Sequence, residues 1–325
     1  MRFVATRLLH SLFVLWSVVT ILFLMFRLMP GNPLASYINE TLNEEQQQEL
    51  IRSFGLDRSL WEQYVIYLAN LLRGELGLSF HQRTPVIDIV FGVLPNTLAL
   101  TFAGVLLAYA FGVTVGAYLA WKRGTWIEGV AIPVVLATRA APELWVGMVL
   151  LAVFSFSLGW LPAGGANSAG AFYGSEFARM TSLDFLRHLA LPAITMALYL
   201  QGLPLLLMRS TMLDVMHEEF ITMARMKGFS QWRIVIRHAA RNAMLPVVTA
   251  FALGLGATIS NNVVIEVVFS WPGLGRLLVQ AVSTSDYPLA QGAFLLIAMV
   301  LIAMNLVADL LYTLLDPRVS HARAR

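Results

Sequence analysis

The sequence predicts an all-α integral membrane protein with six transmembrane helices and one long charged loop. Three observations carry this. Six apolar stretches are long enough to cross about 30 Å of hydrocarbon as helices. The 325 residues are 58% hydrophobic and only 13% charged, where ordinary soluble domains run at about one-quarter charged. The stretch Ser210–Pro246 carries charge at helical spacing and lacks the apolar length to span a bilayer.

In chain order, the first span covers residues 8–29, preceded by Arg2 and Arg7. A secretory leader begins the same way, but its apolar core is shorter and ends at a small-residue cleavage site, so a retained span is expected. It exits through Arg27-Leu28-Met29-Pro30-Gly31-Asn32-Pro33. Residues 30–95 form a polar external segment. Asn43 with Gln46 makes one capping box, and Gly55 ends the helix that follows. Ser59 with Glu62 makes a better box. It opens a helix whose Trp61, Tyr64, Leu68 and Leu72 share a face suited to the membrane interface. The remaining spans are placed at 96–121, 129–158, 189–209, 246–269 and 289–315. In the second, Gly104, Ala108, Gly112, Gly116 and Ala120 recur at steps of four and form a smooth ridge for close helix packing.

The loop at 210–245 reads as two short amphipathic helices joined at Gly228. Leu213, Met216, Phe220 and Met223 form one stripe. Gly228 ends the first helix where a left-handed cap is wanted, and Ser230 caps the second. There Arg233, Arg237 and Arg241 make a basic ridge, and Phe229, Trp232, Ile236 and Ala239 an apolar face. Such a unit has to dock on something. Periodicity alone allows either anionic headgroups or a protein partner.

Lysine and arginine fix the orientation. With the N-terminus inside, the cytoplasmic segments collect Arg2, Arg7, Lys122, Arg123, the loop arginines, and Arg318, Arg323 and Arg325. The opposite segments mix their positive charges with Glu40, Glu44, Glu45 and Glu49. The positive-inside rule therefore puts both termini and the 210–245 loop in the cytoplasm.

Several function classes are excluded. Cysteine is absent, which removes disulfides, thiolate metal sites and cysteine nucleophiles. The net charge of +3 is dispersed, against the concentrated basic face that nucleic acid requires. The two lysines, Lys122 and Lys227, are followed by Arg123 and Gly228, so no Walker A loop exists in this chain. His10, His81, His188, His217, His238 and His321 show no ligand spacing, and no metal site is expected. No hydrolase motif appears, and no catalytic residue is expected.

The loop residues Glu219-Phe220-Ile221, Ala224-Arg225-Met226-Lys227-Gly228, Arg237-His238-Ala239 and Arg241-Asn242-Ala243 resemble the EAA loop of ABC-importer permeases, closest to the dipeptide, oligopeptide and nickel branch. Thr222 and Met223 stand where the general pattern has its glutamate and first alanine. The Pro-Gly-Asn-Pro exit at 30–33 is similar to the start of the same permeases. So are Gly74–Ser79, Leu158–Pro162, Phe269-Ser270-Trp271-Pro272-Gly273, Asp286-Tyr287-Pro288 and Leu315–Arg318, in order along nearly the whole chain.

The resemblance implies a type I importer permease of the bacterial inner membrane, a single permease domain over 1–325. It would pair with a second permease, two cytoplasmic ATPases that bind ATP and magnesium, and an external binding protein. Cargo would be peptides, with nickel chelates or oligosaccharides as alternatives. It implies docking roles for Glu219, Phe220, Ala224, Arg225, Lys227, Gly228, Arg237 and Asn242, and a gate or motif role for Glu266, Trp271, Pro272 and Gly273.

Arg139 and Glu143 lie four residues apart near the middle of the third expected span, beside Pro142. Each costs about 2.5–3.5 kcal/mol at bilayer depth and must face protein or water. They read either as a patch lining the path or as a helix-internal ion pair. A secondary transporter is the rival class. It would show paired carboxylates or broken helices in repeated halves, and no inverted repeat is evident.

Overall fold

The computed structural model describes residues 2–28, 58–260 and 262–315. The expected Asn43–Gln46 box, Gly55, the 30–33 exit and the basic tail from Arg318 lie outside these residues. The described residues form helices with no strand, beyond one isolated bridge between Leu78 and Pro85. Among the described residues, four helices are long and apolar enough to cross a membrane, or five if one bent pair counts as a span.

The chain divides into two compact units, residues 1–95 with 273–300 and residues 96–272 with 301–325. In the first unit, α1 (Arg2–Leu28) supplies the first span. Helix α2 (Leu60–Leu72) starts with the complete Ser59–Glu62 capping box, in which the Glu62 carboxylate accepts the Ser59 backbone N–H at 3.0 Å. Tyr64 and Leu68 pack against α1, where the Tyr64 hydroxyl lies 2.7 Å from Thr20 Oγ1, while Trp61 and Leu72 stay exposed. The expected single interfacial face is thus shared between α1 and the surroundings.

Helix α3 (Val86–Trp121) begins in this unit, with Val86 and Val90 fully buried against Leu274, Leu277, Leu278 and Ala281. The Gly74–Ser79 motif finds its role here. Ser79 Oγ donates to Asp286 Oδ2 at 2.6 Å, the His81 N–H donates to the same oxygen, and the Leu289 N–H donates to Asp286 Oδ1.

In the second unit the small-residue ridge of α3 works as spacing predicts. A Cβ added at Gly112 would lie 3.0 Å from the Gln201 carbonyl, and one at Gly116 would collide with the Leu205 carbonyl. The opposing residues belong to α7 (Leu183–Leu200, after the short α6, Glu176–Met180), its cap Gln201, and α8 (Gly202–Val215).

The third expected span, 129–158, is not one helix. It is α4 (Trp126–Ala140) and α5 (Glu143–Leu150), the latter continued by a π-helical stretch Leu151–Ser157, with a 103° bend between the halves. Pro142 cannot donate to the ladder and holds Ala141 in an extended conformation (φ −68°, ψ 140°). The stretch expected at 246–269 is divided around residue 261, which lies outside the described residues. A short helix Gln231–Arg233, here α10, precedes it, and its halves are α11 (Arg241–Ser260) and α12 (Val263–Val268). Helix α13 (Leu274–Ser283) has Gly273 as its N-cap, and Pro272 lies just before it. Helix α14 (Tyr287–Leu315) holds the last span.

Candidate functional site

The charged loop begins where α8 ends. The stripe expected across 213–223 is interrupted, because the chain turns at Met216–Glu218 and a separate helix, α9 (Glu219–Met226), follows. Leu213 therefore belongs to α8, Met216 to its cap and the turn, and Phe220 and Met223 to the new helix. That helix buries Ile221 and Ala224, with Phe220 half-buried. It turns Glu219, Thr222, Met223 and Arg225 outward, and Met226 is 82% exposed.

Gly228 ends it at φ +77°, the left-handed region that costs glycine nothing. Its N–H donates to the Arg225 carbonyl at 2.9 Å and the Phe229 N–H to the Ala224 carbonyl at 3.3 Å. This pair of bonds is a Schellman cap, which satisfies carbonyls the helix end leaves over.

After Gly228, the Ser230 hydroxyl accepts the Arg233 N–H and opens α10. Residues Ile234–Ala240 then form a π-helix. Its wider turn moves the apolar register, so Ile234, Val235 and Ala239 are buried while Trp232 and Ile236 are exposed. The expected face of Phe229, Trp232, Ile236 and Ala239 is corrected accordingly. The basic ridge remains outward, with Arg233, Arg237 and Arg241 all exposed. Phe229 stacks on His238 at 5.5 Å, Arg233 lies over the Phe229 ring, and Asn242 Nδ2 donates to the His238 carbonyl at 2.7 Å.

A second brace was not legible in the sequence. Arg209 on α8 donates through Nε to Glu128 Oε1 at 2.7 Å, while Glu128 Oε2 accepts the Gly124 N–H. Trp121 at the end of α3 meets Trp232 edge to face at 6.1 Å. The result is a braced loop that exposes Met223, Met226, Trp232 and Ile236 together with Arg225, Lys227, Arg233 and Arg237. That face suits a protein partner offering apolar contact and negative charge.

The Glu266–Gly273 motif sits in the opposite environment. Glu266 is 0% exposed and accepts the Thr97 hydroxyl at 2.8 Å. Trp271, also 0% exposed, donates its indole N–H to the Asn96 carbonyl at 3.0 Å, and Asn96 Nδ2 donates to the Pro272 carbonyl. Arg179 donates to Asn96 Oδ1 and to Asn167 Oδ1. The polar pair Asn96-Thr97 following Pro95 in an apolar helix is the sequence signal of this network.

Arg139 and Glu143 fall on either side of the Ala141–Pro142 break. They do not share one helix, which removes the helix-internal pair, and no ion pair joins them. Among the described residues no group of three or more histidine, aspartate or glutamate side chains could hold a metal ion.

Comparison with known proteins agrees with this architecture. Residues 112–321 match the family model of the binding-protein-dependent transport system inner membrane component, and residues 1–101 match the model of its N-terminal part. The chain is 36% identical to the di/tripeptide transport system permease protein DppB of Pseudomonas aeruginosa, over 99% of this chain and 100% of the relative. It is 32% identical to the oligopeptide transport system permease protein AppB of Bacillus subtilis, over 98% and 99%. Against the glutathione transport system permease protein GsiC of Escherichia coli the identity is 35%, over 99% of both. A solved structure of the methionine ABC transporter MetNI, facing inward, superposes with a TM-score of 0.51 at 14% identity, covering 70% of this chain and 96% of that one, which bears on fold alone. With two family models covering most of its length and relatives matched end to end, the chain belongs to the family of binding-protein-dependent transport system inner membrane components.

Proposed function

We propose that this chain is one permease half of an ATP-driven importer of small peptides. It pairs with a second, related permease to enclose the path. Two cytoplasmic ATPases bind ATP and magnesium, and an external binding protein delivers cargo. Both termini lie in the cytoplasm, where the positive-inside distribution puts the 210–245 loop beside the ATPases. The carrying observation is the outward face of that loop, with Met226 82% exposed on a helix anchored by fully buried Ile221 and capped at Gly228.

The end-to-end likeness to the di/tripeptide and oligopeptide permeases supports peptides as cargo. ATP hydrolysis is transmitted through this face into alternating access. Glu219, Phe220, Ala224, Arg225, Lys227, Gly228, Arg237 and Asn242 form or support the docking surface.

The test is purification in mild detergent combined with thiol labelling, which the cysteine-free sequence permits directly. An ATPase pair and a second permease should copurify. A cysteine at Gln231 should react with an impermeant reagent only after lysis, and one at Ser168 from outside intact cells. Labelling of the Gln231 position from outside would overturn the docking role.

A further inference from the structure

The elbow between α4 and α5 combines two features that are costly in a membrane. The first is charge. Arg139 and Glu143 make no hydrogen bond or ion pair among the described residues, and Arg139 is exposed. Elsewhere in this unit Arg209 pairs with Glu128 and Arg179 with Glu176. The second is backbone. The helix breaks by 103°, no side chain caps the first turn of α5, and Ala140 and Pro142 are exposed. Irregular backbone at membrane depth persists only where protein covers it or where it lines a watery cavity. Arg139 is 13 residues beyond Trp126, about 20 Å along the helix, short of the ~30 Å needed to cross the hydrocarbon.

The stem of Arg139 is held in place. Its Cδ lies 3.2 Å from where a Cβ on Gly202 would be, and the neighbouring Thr138 hydroxyl accepts a hydrogen bond from buried Gln201. The guanidinium is left to project from a fixed base. Nothing among the described residues neutralises these charges. A simple anion or cation would satisfy one and strand the other, whereas a solute carrying both charges satisfies both.

We propose that this elbow is a charge-reading station on the transport path for a zwitterionic solute, Arg139 taking a carboxylate and Glu143 an ammonium group. The proposal rests on the permease reading above and adds to it the chemical class of cargo recognised within the membrane.

The experiment uses the full complex, with the partner subunits made cysteine-free and a cysteine introduced by Ala140→Cys. Complex assembly is measured first, and its failure overturns the permease reading together with this one. Labelling rates are then compared for anionic sulfonatoethyl and cationic trimethylammonioethyl methanethiosulfonate. Both should react. Arg139→Gln should lower the anionic-to-cationic rate ratio and Glu143→Gln raise it, each about threefold to tenfold for a unit charge nearby in wet surroundings. Dialanine uptake should fall about tenfold in each variant, the scale of one lost charge-assisted hydrogen bond.

An assembled complex whose elbow reacts with neither reagent has this surface covered by the second permease, which overturns the station and leaves the importer standing. A rate ratio indifferent to both variants, or dialanine uptake indifferent to both, overturns it equally.

Discussion

The 219–228 helix and the Glu266–Pro272 motif are built on opposite principles. The motif is sealed: Glu266 and Trp271 are 0% exposed and tied by hydrogen bonds to Thr97 and Asn96. The loop helix is open, holding itself with Ile221 and Ala224 and turning Met223, Arg225 and Met226 away from the chain. A sealed motif acts on this chain's own stability. If the open one docks on an ATPase, as proposed, its damage should appear in coupling while folding is spared.

Substitutions can break or sharpen that division. Trp271→Ala should cost the most, about 3–5 kcal/mol for a buried aromatic, seen as a lowered thermal midpoint of the purified chain in detergent. Thr97→Val should cost about 1–3 kcal/mol in the same measurement, because it withdraws a donor from a buried carboxylate.

Gly228→Val comes next. Nothing lies within 4 Å of the missing Cβ, so the penalty is backbone strain alone, about 1–2 kcal/mol. Cargo-stimulated ATP hydrolysis and uptake should be lost while the chain still pairs with its partner permease. Gly228→Ala should be milder and Gly228→Asn mildest. Wild-type coupling in Gly228→Val would mean the cap geometry does not matter to docking.

Met226→Ser should shift stability least, within about 0.5 kcal/mol, yet weaken ATPase attachment in a pull-down. A large drop in thermal midpoint for this variant would put Met226 in the chain's own packing and erase the contrast.

The sequence made legible what local spacing encodes. The apolar stretches, the Ser59–Glu62 box, the glycine ridge of α3 and the left-handed position at Gly228 all follow from neighbours within a few residues. What escaped depends on partners far away or on competing local geometries. Pro133 and Pro192 lie inside continuous helices while Pro142 breaks one by 103°, and the letters alone do not separate these outcomes. The π-helix at 234–240 shifts a register that an α-helical wheel places wrongly. Arg209 finds Glu128 81 positions away, and Trp271 finds Asn96 175 away, pairings that no periodicity announces.

The Asp286 hydrogen bonds carry a consequence for the order of synthesis. Ser79 and Asp286 are 207 positions apart, so at about 5–20 residues per second the ribosome delivers the second about 10–40 s after the first. During that interval the Gly74–Pro85 turn has no carboxylate to close on, and Val86 lacks the Leu274–Ala281 face that buries it in the finished protein. The Gly74–Pro85 turn is therefore closed only when Asp286 arrives. A chain truncated before Asp286 leaves that turn open, which gives a protease a means of telling finished chains from unfinished ones.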